Sequence, residues 1–223
     1  MHFVETIPTA FTYFAWNIDL HTVGPFVRGS RTRTEVLGNL ESLARDLNTG
    51  NNLHHVRLFE STFIPPLPNA PRFDIVLLVD SVESICDEFD LARARHDVPA
   101  PDVVTGALNA ARFGDTDRTD GAVLLNHFIG DARPRDAIDA WQSISQWYAT
   151  VLGVTNSTLL EFEDGAPWVI ANYVVVPGTV VHFMANQLLR PSFHNNVTRR
   201  LRRADIAARP LFARRVDFDP GRE

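Results

Sequence analysis

The sequence predicts an α+β fold in which two split β-α-β repeats pack sheet to sheet as an internal pseudo-dimeric barrel. Three observations predict it. Each half of the 223-residue chain runs strand, helix, strand, strand, helix. The segments 73–79 (FDIVLLV) and 122–129 (AVLLNHFI) are apolar on both faces, so their sheet is covered on both sides. The helices of a split β-α-β unit cover one sheet face only, and the second copy in the same chain supplies the other cover.

Residues 1–9 are a polar lead with Pro8, and 11–18 (FTYFAWNI) is an aromatic-rich strand. A loop with Gly24, Pro25 and Gly29 follows. The spacing of Val36, Leu37, Leu40, Leu43, Ala44 and Leu47 predicts a helix over 33–47, capped by Thr32 or Thr34 and stopped by NTGNN at 48–52. Strands are expected at 54–63 and 73–79, separated by the rigid loop PPLPNAP, with a helix at 80–96. These elements make a first repeat over 1–96. Residues 97–120, rich in Pro, Gly and Asp, read as a linker with a short helix at 103–113. The second repeat, 121–203, holds strands at 122–129, 157–162 and 168–176, a helix at 136–152, and a long helix at 180–201 interrupted at Pro191. Residues 204–223 read as a C-terminal tail.

The composition is that of a globular protein, 45% hydrophobic and 22% charged. A net charge of −6 argues against nucleic acid as a general partner. All 21 basic residues are arginine, which reads as a compositional bias. The single cysteine, Cys86, excludes an internal disulfide. The N-terminus lacks the basic start and apolar core of a signal peptide, and no run reaches the ~18 apolar residues of a membrane span. A cytoplasmic protein without a membrane partner is expected, and association of copies through exposed helices is left open. There is no G-x-G-x-x-G, P-loop, H-E-x-x-H, G-x-S-x-G or C-x-x-C, so nucleotide binding, zinc hydrolysis and serine hydrolysis have no support.

The order of elements, VRLFESTF followed by FDIVLLVD, and RPSFHNNVTRRL together resemble the dimeric α+β barrel superfamily of ferredoxin-like units. That group includes antibiotic-biosynthesis monooxygenases, small polyketide cyclases and haem enzymes related to chlorite dismutase. The resemblance covers most of residues 11–201. It implies a small-molecule enzyme of secondary metabolism acting on an aromatic or polyketide-like substrate. The first half lacks an SFHNN stretch, so an asymmetric site in the second half is expected.

Strand 122–129 carries Asn126 and His127 at its centre, on opposite faces. Polar side chains in an apolar strand need partners or a ligand. His127 suits a general base, and the Asn126 amide suits an enolate or peroxide oxygen; a strand-end network is the alternative for both. Tyr173 is a candidate proton donor beside Asn172. Trp16 suits a flat ligand or the core, and Asn17, placed across the barrel from Asn126, is harder to explain as core. Arg57, sharing a strand face with His55, suits a carboxylate or phenolate, or else an ion pair with Glu60 or Asp74. Trp141, Trp147 and Tyr148 read as core, and Arg199–Arg203 as a solvated helix end that could clasp an acidic partner.

The expected chemistry is therefore a cofactor-independent monooxygenase or cyclase with His127, Asn126 and Tyr173 catalytic and Trp16, Asn17, Arg57, Asn172 and His194 around the substrate. Two alternatives stand beside it: a haem-binding barrel with His194 or His182 as axial ligand, and a non-catalytic ligand-binding barrel in which Asn126, His127 and Asn17 bond only to one another.

Overall fold

A computed structural model describes residues 10–49, 54–80, 85–118 and 120–218. The expected lead at 1–9, part of the helix stop at 50–52, the start of the second helix at 81–84 and the last residues of the chain lie outside them. In chain order the elements are β1 (Ala10–Trp16), β2 (His21–Val23), β3 (Phe26–Arg28), α1 (Arg31–Thr49), β4 (His55–Phe63), β5 (Ile75–Asp80), α2 (Cys86–Arg95), β6 (Val103–Phe113), β7 (Ala122–Gly130), α3 (Pro134–Leu152), β8 (Ser157–Phe162), β9 (Ile170–Val175), α4 (Val180–Leu188), α5 (Pro191–Phe193), a π-helical turn (His194–Thr198), α6 (Arg199–Arg203) and β10 (Ile206–Val216).

The strands run in the order β10-β7-β9-β8-β6-β1-β5-β4, and β10 pairs with β4 to close an eight-stranded antiparallel barrel. The hairpin of β2 and β3 extends from β4. Each repeat contributes four strands, and the barrel is a ferredoxin-like α+β architecture with both copies in one chain. The last strand of each repeat pairs with a strand of the other: β6 with β8, and β10 with β4.

Strand alternation sorts the side chains into three layers. Tyr13, Ala15, Phe59, Leu125, Trp168 and Tyr173 fill the barrel interior. Phe14, Trp16, Leu58 and Leu77 face outward under α1 and α2. Leu124, Phe128, Leu159, Ile170 and Phe212 face outward under α3 and α4. The unbroken apolar runs of β5 and β7 follow from this burial on both faces.

Two segments depart from the sequence reading. The linker helix expected at 103–113 is the eleven-residue strand β6. Its Ala and Gly content reads locally as helix or turn, but pairing with β1 and β8 fixes it in the sheet. The expected tail contains β10, which pairs with β7 along most of its length and with β4 only over Phe212–Val216. Pro210 therefore lies where β10 has one neighbour, so its missing N–H costs no second ladder bond. The cap of α1 is Ser30, whose Oγ accepts from Arg33 N at 3.1 Å, rather than Thr32 or Thr34. Gly153 ends α3 in the left-handed conformation at φ 70°.

Candidate active site

The two polar residues of β7 go to different layers. His127 points into the barrel, fully buried, with Nε2 2.8 Å from the Tyr13 hydroxyl and its ring centroid 4.5 Å from that of Trp168. Burial pushes its pKa down to about 4, so the imidazole is neutral at pH 7. Tyr173 shares this interior, and its hydroxyl accepts from Thr116 Oγ1 at 3.2 Å. Arg57 closes one end of it. Its Nε donates to Asp117 at 2.8 Å, Nη1 to Asp80, and Nη2 meets His55 Nδ1 at 2.8 Å. These partners replace the expected Glu60 and Asp74. On β4, Glu60 points to the opposite face and pairs with Arg33 of α1, which also approaches Asp74.

Asn126 points the other way, toward the helices, with Leu124 and Phe128. It sits on the floor of a pocket of about 910 Å³ between the second-repeat sheet and its helices. Phe63, Phe128, Tyr148, Phe193 and Phe212 give this pocket aromatic walls, and Ile144, Val197 and Leu201 add aliphatic ones. A second, small cavity of about 40 Å³ shares Asn126, Phe128 and Tyr148 with it and is also lined by Asn172. Asn172 Nδ2 donates to Ser157 Oγ at 3.4 Å. Asn126 Oδ1 is buried and accepts no hydrogen bond among the described residues. An acceptor in that state costs about 1–3 kcal/mol, which a ligand donor would recover.

Of the residues singled out in the sequence, the structure brings Asn126 and Asn172 together at this pocket. Trp16 and Asn17 do not face Asn126 across the barrel. Trp16 alternates outward with Phe14 into the first-repeat core, and its Nε1 donates to the Pro99 carbonyl at 3.0 Å. Asn17 is exposed, and its main-chain N–H donates to Asp102 at 2.6 Å. Asn126, His127 and Asn17 thus form no common network. His194 is exposed at the start of the π-helical turn, while Val197 and Thr198 of that turn line the pocket. His182 is exposed on α4, 2.7 Å from Asn186 Nδ2, beside a separate cavity of about 300 Å³.

Sequence reasoning missed the wall opposite Asn126. Tyr148 donates to Gln187 Oε1 at 2.9 Å, and Gln187 Nε2 contacts Met184 Sδ at 3.0 Å. Burial holds the Tyr148 phenol well above its ordinary pKa, so it stays protonated. Gln187, a buried amide on the inner side of α4, was the available signal.

No family model matches the sequence, and none of the curated proteins does. Solved structures do match across the whole chain. An anthrone oxidase-like protein superposes with a TM-score of 0.58 at 11% identity, covering 94% of this chain and 91% of its own. Chlorite dismutase from Candidatus Nitrospira defluvii in complex with imidazole gives 0.56 at 10% identity, covering 95% and 92%. A mutant of that enzyme with lysine in place of one arginine gives 0.54 at 11% identity, covering 96% and 94%.

These neighbours overturn the expectation of no cofactor, because chlorite dismutases are the haem enzymes of the superfamily that the sequence resembles. The pocket is apolar and roomy enough for a large planar group. Its donor set is another matter. No histidine lines it among the described residues; His182 and His194 lie outside it and His127 is on the far side of the sheet. The soft donor on its wall, Met184 Sδ, is engaged by Gln187. A histidine-ligated haem does not fit the residues at this pocket. The comparisons share one architecture with this chain, and the protein is a ferredoxin-like α+β barrel built from two fused repeats.

Proposed function

We propose that this protein is an enzyme that oxidises a hydroxylated polycyclic aromatic compound held in the second-repeat pocket. One observation carries the reading: among the described residues, one buried acceptor, Asn126 Oδ1, stands unpaired on the floor of a large aromatic-walled cavity. Flat apolar walls select a ring system. The lone acceptor selects a hydroxyl that donates to it, and it fixes which edge of the ring lies deepest. Tyr148 uses its proton on Gln187, so its oxygen lone pairs are a further polar feature of the pocket wall. The anthrone oxidase-like neighbour supports the substrate class by its name.

An anthrone supplies a balanced reaction with dioxygen as oxidant. The ring CH₂ loses its two hydrogens and becomes C=O with one oxygen atom, and the other oxygen leaves as water. Asn126 holds the neighbouring hydroxyl during this change and is the residue assigned to touch substrate.

The test is incubation with a hydroxylated anthrone in aerated buffer, following quinone absorbance. The reading expects enzyme-dependent quinone formation that Asn126→Leu lowers by about tenfold or more. No acceleration over buffer, combined with no rise in melting temperature in the presence of the product quinone, overturns it.

A further inference from the structure

We infer that the mouth of this pocket docks on an anionic lipid surface, from which the apolar ligand enters. The inference rests on the pocket being the ligand site. Helix α4 buries Phe183 and Gln187 but turns Val181, Ala185, Leu188 and Leu189 to solvent. These follow the i, i+4, i+7, i+8 spacing of one helix face. Leu189 is 82% exposed and Leu188 60%. Leu188 also lines the pocket, and so does Leu67, another exposed leucine, from the first repeat. The apolar stripe therefore runs up to the opening itself.

Charge complements it. Arg190 follows the stripe, and Arg199, Arg200, Arg202 and Arg203 stand exposed on α6, with Arg202 on the pocket rim. None of the five has an acidic side-chain partner among the described residues, and the acidic group on the same rim is Asp205. The whole chain carries −6, so this is a local reversal of sign. Exposed leucines flanked by arginines match a headgroup interface: the leucines enter the acyl boundary and the guanidinium groups meet phosphates. An acidic protein would satisfy the arginines but would leave the leucine stripe at the mouth without a function. The lipid surface accounts for both, and for an apolar pocket opening between them.

Co-sedimentation tests this, with vesicles of phosphatidylcholine alone and of phosphatidylcholine mixed with phosphatidylglycerol. The full chain is expected to pellet with the mixed vesicles, to stay in solution with the neutral ones, and to be released by high salt. Arg199→Gln with Arg203→Gln should weaken partitioning by about fivefold per arginine, and Leu189→Ser by about tenfold. These three residues do not line the pocket, so their variants should keep the wild-type affinity for a soluble hydroxyanthraquinone in vesicle-free buffer. That measurement separates failure of the surface from failure of the pocket. Absence of binding to the mixed vesicles overturns the inference. So does equal binding to polyglutamate with no effect of Leu189→Ser, which would assign the rim to an acidic protein.

Discussion

The Tyr13 hydroxyl and His127 Nε2 lie 2.8 Å apart in the filled centre of the barrel, joining β1 of the first repeat to β7 of the second. The pair links the two halves amid packed aromatic rings, with Trp168 against both side chains and Phe162 against Tyr13. Tyr13→Phe leaves the imidazole nitrogen without this partner. The expected cost is about 2 kcal/mol in urea unfolding.

The same histidine makes stability depend on pH. Its pKa falls from 6.5 to about 4 on folding. Between those values the unfolded chain binds the proton and the folded chain does not, so stability rises with pH. The contribution is complete above pH 6.5 and is lost as pH falls toward about 4, amounting to about 3 kcal/mol. His127→Phe should flatten the wild-type slope across that window. Parallel slopes for the two proteins would show that His127 is not the group responsible.

Arg57 holds Asp80 and Asp117 at the other end of the interior, and Arg112 and Arg215 also reach Asp117. Arg57→Met takes the guanidinium from Asp80 and one of three arginines from Asp117, and should cost about 3 kcal/mol. Despite the opposing effect of its burial, the arginines hold the Asp117 carboxyl down at about 2. A depressed carboxylate contributes stability above its unfolded value, and that stability is lost as pH falls from about 4 to about 2. Asp117→Asn should remove this acid limb, read by thermal melts across the same range.

Gly130 ends β7 at φ 151°, and a Cβ there would meet the Asp205 carbonyl oxygen at 2.1 Å. Gly130→Ala should therefore cost about 2 kcal/mol or more and disturb the β7–β10 rim of the pocket. Circular dichroism melts check the cost.

The repeat was legible because β5 and β7 carry nearly unbroken apolar runs, β1, β4, β8 and β9 are rich in aromatic and branched aliphatic residues, and α1 and α3 carry helical spacing. The closing strands were not. In β6, Val104, Gly106 and Leu108 alternate with buried Thr105, Ala107 and Asn109, so neither face is distinctly polar. In β10, Pro210 and the arginines read as coil, yet pairing with β7 overrides that local preference. The opposite orientations of Asn126 and His127 followed from strand alternation alone. Which of the two faces held space did not, because cavity volume depends on how α3, α4 and the π-helical turn stand off the sheet. Tyr148, Met184 and Gln187 belong to that same standoff.

The central claim is that ligand binds outside the barrel, against Asn126, rather than inside it against His127. The measurement that tests it most directly is the affinity of a hydroxyanthraquinone, read by tryptophan quenching, for wild type, Asn126→Leu and His127→Phe. The account predicts that Asn126→Leu weakens binding by about tenfold or more while His127→Phe leaves it within about twofold. Loss of binding in His127→Phe with wild-type affinity in Asn126→Leu would contradict it.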